Sequence, residues 1–206
     1  MKKLMITISI STLMAIGSIT QAELVGNPEA GKTKAAMCGG CHGLDGNSPS
    51  PMFPSLAGQH QNYLYKQIID FKTKKRQDPA MSPQAQLMTN EQDIADVSAY
   101  FAQQKPTQGY ANPEVADLGE QIFRGGNPST GVTACTACHG PVGKGNLPAK
   151  FPQISGQKVA YTVKALKDFR AGKRNNDMNG MMRGVAKHMT DAEIEAVAEC
   201  LHGLSD

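Results

Sequence analysis

The sequence has few of the large side chains from which small domains build their cores. Tryptophan is absent from its 206 residues, and aromatic residues make up only 5% of the chain. A chain of this length forms one large domain or two small ones, and domains of fewer than about 100 residues bury a limited share of their surface. We therefore expect a large apolar group other than a side chain to complete the core.

A large excess of charge of one sign is also missing, since the formal net charge of the chain is only +3. Residues 23–105 contain 8 Lys and Arg against 8 Asp and Glu, and residues 106–206 contain 11 against 10. A nucleic-acid-binding domain usually has a clear excess of basic residues, so this balance argues against a nucleic-acid partner.

Convincing β-strand patterns are missing too. Beyond the N-terminal residues, no segment is apolar enough to cross a membrane.

The N-terminal residues have the pattern of an export signal. Two lysines precede a largely apolar stretch at residues 4–19, and a small-x-small cleavage signal ends at Ala22. The alternative is an uncleaved anchor helix, but the apolar stretch is short for a span of about 20 residues. The sequence therefore predicts a signal peptide over residues 1–22 and a soluble periplasmic chain that begins at Glu23.

Two Cys-x-x-Cys-His motifs are the most informative feature. They occupy residues 38–42 and 135–139, and their first cysteines are 97 positions apart. Two thiols at this spacing can each form a thioether with one haem vinyl group, and the histidine that follows then lies beneath the iron as its proximal ligand. The motifs therefore predict two covalently bound haem c groups, which bacteria attach in the periplasm.

Other uses of Cys-x-x-Cys explain the sequence less well. A structural zinc site needs four ligands, usually from a second cysteine pair or a later histidine pair, and neither half of the chain supplies a second cysteine pair. A thioredoxin-like redox pair expects a βαβ context, which no flanking pattern indicates. Both alternatives leave the histidine after each motif without a function.

The chain is an internal duplication with a shift of about 98 positions. Residues 53–59, Phe-Pro-Ser-Leu-Ala-Gly-Gln, match residues 151–157, Phe-Pro-Gln-Ile-Ser-Gly-Gln. Each copy predicts a short helix before the motif, a Gly- and Pro-rich loop, a middle helix and a closing helix. The expected helix ranges are 28–37, 59–75 and 90–104 in the first copy, and 114–124, 157–171 and 190–203 in the second. We therefore predict an all-α protein of two tandem domains, 23–105 and 106–206, joined by a short polar linker with two prolines.

The segment before each closing helix is rich in methionine, which can supply the second axial iron ligand. In the first copy Met81 lies in a proline-bracketed loop. Its competitor Met88 is two residues before the helix cap Asn90, where a hydrophobic staple is expected. We therefore assign Met81.

Counting residues does not settle the second ligand. The candidates in the matching loop are Met178, Met181, Met182, His188 and Met189. His188 and Met189 adjoin the helix start, where packing or solvent exposure is expected. Met81 precedes its helix cap by 9 positions, whereas Met182 precedes Thr190 by 8 and Met181 by 9. Both Met181 and Met182 therefore stay open at this point.

The chain from residue 23 onward resembles the dihaem cytochrome c4 family, two class I cytochrome c domains in tandem with His/Met-ligated haems. The resemblance rests on both motifs, on Cys-His-Gly-Leu-Asp-Gly-Asn-Ser at residues 41–48, on the two Phe-Pro-x-x-x-Gly-Gln repeats and on Met182-Arg183. In the family's pattern the ligand directly precedes this arginine, which implies Met182. It also implies that the carbonyls of Pro54 and Pro152 accept the Nδ1–H of the proximal histidines.

These inferences give one set of predicted site residues and no catalytic residue. The residues that attach haem covalently are Cys38, Cys41, Cys135 and Cys138, and the axial iron ligands are His42, Met81, His139 and Met182.

Two further features lie outside this set. Cys200, the fifth cysteine, aligns with Tyr100 on the buried face of the closing helix, which favours an inert thiol over a ligand or an intermolecular disulfide. Lys72, Lys74, Lys75 and Arg76 form a charge run after the middle helix that is typical of a solvated face, and its repeat at residues 173–174 leaves partner docking as the alternative.

Saturated axial coordination favours outer-sphere electron transfer over substrate chemistry. The resemblance implies a monomeric periplasmic carrier that takes electrons from a quinol-oxidising complex to a terminal oxidase, with loose association at the membrane surface. One rival is a dihaem enzyme of the peroxidase or thiosulfate-oxidising type, which needs an open or weakly ligated iron. Another is a permanent electron-transfer subunit of a dehydrogenase.

Overall fold

The structure, a computed structural model, describes residues 25–204. The predicted signal peptide over residues 1–22 lies outside this range and stays a prediction. Within the described residues the regular secondary structure is helical, and the β-type pairings are two isolated bridges, Asn127 with Val132 and Asn146 with Phe151. No helix in the described part of the chain is long and apolar enough to span a membrane. The predicted all-α class is confirmed.

The two halves repeat the same order of helices. In the first half they are α1 (Pro28–Lys34), α2 (Gly39–His42), α3 (Gln61–Lys72), α4 (Met81–Leu87) and α5 (Glu91–Ala102), with a 3₁₀ turn at Ala35–Cys38 between α1 and α2. In the second half they are α6 (Pro113–Gly125), α7 (Thr136–His139), α8 (Val159–Arg170), α9 (Met181–Ala186) and α10 (Asp191–Gly203), with a 3₁₀ turn at Met178–Gly180 before α9.

Two short helices occupy the segments that the sequence predicts as methionine loops. At the start of α4, the Asp78 carboxylate accepts hydrogen bonds from two consecutive backbone N–H groups, the second that of Met81, at 3.0 and 3.1 Å. At the start of α9, which begins at Met181, Asp177 accepts the Arg183 backbone N–H at 3.0 Å. Carboxylates that satisfy the free N–H groups of a first turn stabilise a helix start. The loop expectation was wrong for both segments because it did not consider these carboxylate caps, and in the first segment it relied on the prolines around Met81.

The closing helices carry the core of each half, as their helical periodicity predicts. In α5 the side chains of Ile94, Val97 and Phe101 are at most 1% exposed, whereas Tyr100 is only partly buried and donates its hydroxyl to the Leu44 carbonyl at 2.9 Å. In α10 the same face buries Ile194, Val197, Cys200 and Leu201. The predicted burial of the Cys200 thiol is confirmed.

The first and last helices of each half cross at a glycine. A β-carbon at Gly31 would lie 2.1 Å from the carbonyl oxygen of Asp96, and one at Gly119 would lie 2.1 Å from that of Ala196. Both oxygens belong to backbone and cannot move aside without shifting a helix. The absence of a side chain therefore sets the distance between α1 and α5, and between α6 and α10.

We expect Gly31→Ala to destabilise the first half by about 1–3 kcal/mol, the usual cost of overpacking a close contact. Chemical denaturation followed by far-ultraviolet circular dichroism measures this loss. The matched control is Gly125→Ala, because nothing lies within 4 Å of a β-carbon at that helical glycine. Equal stability of the two variants would contradict the crossing argument.

The two halves meet through hydrogen bonds that have symmetrical counterparts. The Gln59 side chain donates to the Gln153 carbonyl at 2.7 Å and accepts the Gln153 backbone N–H at 3.0 Å. The equivalent Gln157 donates to the Ser55 carbonyl at 3.0 Å and accepts the Ser55 N–H at 2.8 Å. Because Ser55 and Gln153 are also repeat equivalents, the interface is self-complementary, as in a two-fold dimer.

A pair of arginines extends this symmetry. Arg76 donates to the Tyr161 hydroxyl at 3.1 Å, and Arg174 donates to the Tyr63 hydroxyl at 2.8 Å. Both guanidinium groups also reach the Gln67 side-chain oxygen, and each lies over a phenylalanine ring of its own half. Burial raises the pKa of the Tyr161 phenol, but the two guanidinium groups outweigh this effect and lower it to about 8. The expected solvated face is confirmed for Lys74 and Lys75, which are exposed, but is wrong for Arg76, which is partly buried. Its repeat equivalent Arg174 is buried.

Candidate haem sites

Each Cys-x-x-Cys-His motif lies on a short helical turn. The two cysteines of a motif are three positions apart, so both side chains project from one face of the turn. His42 ends α2, and Gly43 follows with φ of 78°, a conformation that a side chain would strain. A β-carbon at Gly43 would also lie 2.3 Å from the Asn47 carbonyl oxygen. The glycine lets the chain turn away directly after the histidine.

The two predicted proximal histidines have the same environment. His42 is 8% exposed and its Nδ1 lies 2.8 Å from the Pro54 carbonyl oxygen. His139 is 6% exposed and its Nδ1 lies 2.9 Å from that of Pro152. These contacts agree with the pattern that the resemblance implies. A carbonyl only accepts, so Nδ1 carries the proton and Nε2 keeps its lone pair.

Electrostatics favours the neutral imidazole. Burial lowers the pKa of both His42 and His139, and the hydrogen bond to the proline carbonyl only partly opposes this effect. A neutral imidazole with a free Nε2 is the form that ligates iron. The donor chemistry of both sites therefore fits haem.

The repeated Phe-Pro-x-x-x-Gly-Gln segment supports this geometry. Its phenylalanine packs beside the histidine, with ring centroids 6.3 Å apart for Phe53 and His42 and 6.2 Å apart for Phe151 and His139. Its proline carbonyl accepts the Nδ1 proton, and its glutamine bonds to the other half. One seven-residue segment therefore orients the histidine and joins the domains, a second function that the sequence repeat did not reveal.

The first cysteine of each motif packs against a core. Cys38 and Cys135 are partly buried against the cores of their halves, and burial is the first cause that raises the pKa of each thiol, to about 11. Cys41 is exposed and Cys138 is partly exposed. In each motif the first cysteine therefore packs against the core of its half, and the two cysteines together would hold the porphyrin.

The predicted methionines begin the two short helices. Met81 is the first residue of α4 and is partly buried. Met182 is the second residue of α9 and packs against the core that also contacts Cys135. Arg183 is held by Asp177, which accepts from its Nε at 2.8 Å and from its backbone N–H. This pair fixes the orientation of the first turn of α9.

Three residues compete with Met81 and Met182 as candidate axial ligands. Met88 and Met189 are 7% and 4% exposed and pack in the cores beside the helix caps Asn90 and Thr190. His188 is exposed on the surface. The expected packing of Met88 is confirmed, and of the two residues expected to pack or face solvent, Met189 packs and His188 faces solvent.

Known proteins share both the sequence pattern and the fold. The sequence matches the cytochrome c family over residues 28–105 and again over residues 116–205. It is 49% identical to cytochrome c4 of Thiocapsa roseopersicina, over 92% of this chain and 98% of that protein. A crystal structure of reduced cytochrome c4 from Pseudomonas stutzeri matches with a TM-score of 0.85 and 46% identity, over 88% of this chain and all of that one.

A more distant relative bears another description. The chain is 36% identical to a protein of Stutzerimonas stutzeri described as a thiosulfate dehydrogenase electron acceptor, over 83% of this chain and 81% of that protein. This relative also covers both halves. Together the two matches to the family, the close relatives and the paired histidine sites show that this chain belongs to the cytochrome c4 family of electron carriers and binds two haem c groups covalently.

Proposed function

We propose that the protein is a periplasmic electron carrier that links a quinol-oxidising respiratory complex to a terminal oxidase and catalyses no substrate chemistry itself. The observation that carries the proposal is that each half contains a buried histidine whose Nδ1 is held by a proline carbonyl and, in the segment before its closing helix, a methionine in the first turn of a capped helix. Haem supplies one-electron exchange between Fe(III) and Fe(II) when bound. The chain supplies two fixed axial donors per site, so oxidation requires little rearrangement.

The proposal assigns each part of the site a task. The four motif cysteines, Cys38, Cys41, Cys135 and Cys138, hold the haems. His42 and His139 are oriented by proline carbonyls, and Met81 and Met182 complete the axial pairs. Domains 23–105 and 106–206 each form one such site within a monomeric chain, which is exported after removal of residues 1–22 and associates loosely with the membrane surface.

Intact mass tests attachment and export together. Protein purified from the periplasm of a host with haem-maturation machinery is expected to have the mass of the chain from Glu23 plus two haems. The double variant Cys135→Ala with Cys138→Ala should lose one haem and keep the other. A wild-type mass with one haem or none would contradict the site assignment. A mass that still includes residues 1–22 would contradict the predicted removal of these residues as a signal peptide.

Carbon monoxide binding distinguishes an electron carrier from a redox enzyme. With both axial positions filled, the ferrous protein is expected to bind carbon monoxide poorly at neutral pH, and to show negligible turnover with peroxide or thiosulfate. Stopped-flow and optical spectra measure both. Met182→Ala is the positive control, because it opens one position. Ready binding by the wild type, with substantial turnover, would place the protein among the enzymes.

A second candidate concerns the electron donor. The relative described as a thiosulfate dehydrogenase electron acceptor suggests that this chain takes electrons from such an enzyme. The rates of reduction by a purified quinol-oxidising complex and by a thiosulfate dehydrogenase, measured at equal concentration, separate the two. Faster reduction by the dehydrogenase would favour the second candidate and leave the carrier role unchanged.

A further inference from the structure

The segment that precedes the second methionine helix, α9, is held by the first half of the chain. The Asn176 side-chain amide donates to the Asp70 carboxylate at 2.6 Å and to the Gln67 side-chain oxygen at 3.0 Å. Lys66 forms an ion pair with Asp70 and donates to the Asn176 carbonyl at 2.9 Å. Three residues of α3 therefore bind one residue of the second half.

These contacts are largely protected from water. Asp70 is 5% exposed and Gln67 is 8% exposed. A buried carboxylate or amide oxygen that loses its donor is not compensated by solvent, so breaking such a hydrogen bond is costly. The contact with α3 therefore holds Asn176 in one orientation.

Asn176 directly precedes the residue that caps α9. The Asp177 carboxylate accepts the backbone N–H of Arg183 at 3.0 Å and its Nε at 2.8 Å. Between this cap and the start of α9, Asn179 and Gly180 have φ of 52° and 71°, which makes the connection a tight turn. The cap and the turn leave this short connection little freedom, so a displacement of Asn176 moves the first turn of α9.

The first half has a weaker version of this contact. Asp78 stands at the repeat position of Asn176 and caps α4 itself, and the Lys164 amine of the second half lies 3.4 Å from its carboxylate. Lys164 is 45% exposed and also pairs with Asp168 at 2.6 Å. Because exposed ion pairs contribute little, α4 depends mainly on its own cap, whereas the segment before α9 depends on the other half.

We propose that Asn176 is a positioning residue for the second axial ligand. The first half holds Asn176 through Gln67 and Asp70, and Asn176 in turn holds the turn of α9 that carries Met182. The inference rests on the proposed carrier function, in which this methionine stays on the iron in both oxidation states. One half of the chain thereby lowers the rate at which the other half releases its methionine. Met181 lies in the same turn, so the argument holds for either residue as ligand.

Carbon monoxide reports methionine release at each haem separately. The gas binds a ferrous haem only where the methionine has left, so in a Met81→Ala background the first haem binds quickly and the slow phase belongs to the second. There Asn176→Ala is expected to raise the rate constant of the slow phase by about threefold or more, because the open state becomes more populated. The matched control is Asn175→Ala, the same change at an exposed adjacent residue, which should stay within about twofold.

Asp70→Asn tests the same contact from the first half, since it keeps the size of the side chain and removes the charge. Alone it is expected to raise the rate constant of the slow phase by about twofold or more. Added to Asn176→Ala it should change the rate constant by less than about 1.5-fold, because the two residues act through one contact. Asp168→Asn, the same change at the repeat equivalent of Asp70, should stay within about 1.5-fold, since Asp168 pairs with Lys164 of its own half.

A general loss of stability would affect both haems. In a Met182→Ala background the slow phase belongs to the first haem, and Asn176→Ala should leave it within about twofold of that background. A potentiometric titration gives a second readout, because weaker methionine ligation lowers the reduction potential of the second haem alone. An effect below these values in Asn176→Ala or Asp70→Asn, an equal effect at both haems, or an equal effect of Asn175→Ala would each overturn the inference and leave the carrier function intact. Ready binding by both haems of the wild type would overturn the carrier function itself.

Discussion

Replacement of Met182 by alanine is expected to abolish about half of the weak near-infrared-edge band that marks methionine bound to Fe(III). Met81→Ala should abolish the other half, because each half of the chain supplies one methionine. Loss of a methionine ligand also lowers the reduction potential of the affected haem. Optical spectra of the oxidised protein and a potentiometric titration measure both effects.

The neighbouring methionines provide the controls. Met178→Ala, at a side chain that is 46% exposed, should leave the band unchanged. Met181→Ala should also leave it, since Met182 is the residue that packs against the core next to Cys135. If Met181→Ala removes half of the band and Met182→Ala does not, the second ligand is Met181, and the assignment of Met182 is wrong by one position.

Replacement of Arg174 by methionine is expected to lower the free energy of unfolding by about 2–4 kcal/mol. The variant loses a charge-assisted hydrogen bond to Tyr63, a contact with Gln67 and the guanidinium that lies 4.4 Å from the centroid of the Phe169 ring. Arg174 is only 9% exposed, so water cannot replace these partners. Chemical denaturation measures the loss, and hydrogen exchange shows whether it is concentrated at the interface.

Lys173→Met is the matched control. Lys173 is adjacent in sequence, has the same charge and is exposed, so its replacement should change stability by less than about 0.5 kcal/mol. Arg76→Met, the symmetrical counterpart, should also destabilise the interface, because its guanidinium bonds to Tyr161 and Gln67. Similar small effects of Arg174→Met and Lys173→Met would show that the interface does not depend on the buried guanidinium.

The sequence alone determined the features that depend on neighbouring residues. Covalent haem attachment needs two thiols and a histidine within five positions, so the motifs predict it without a fold. The main helices are also local, because apolar periodicity and caps such as Thr190 fix them within one segment. The duplication showed that the chain has two copies of one unit. The family resemblance added the proline carbonyls, which the structure confirms, and the assignment of Met182, which stays a prediction.

Only the tertiary structure decided which residues of the two units contact each other. The bonds of Gln59 to Gln153 and of Arg174 to Tyr63 join positions about 100 residues apart, and no local pattern marks such partners. The Lys-Arg pair at residues 173–174 illustrates the limit, because the lysine is exposed and the arginine is buried. The sequence assigns the same charge to both. Packing decides which one meets water and which one meets the other domain, because burial depends on the whole surface that covers a side chain.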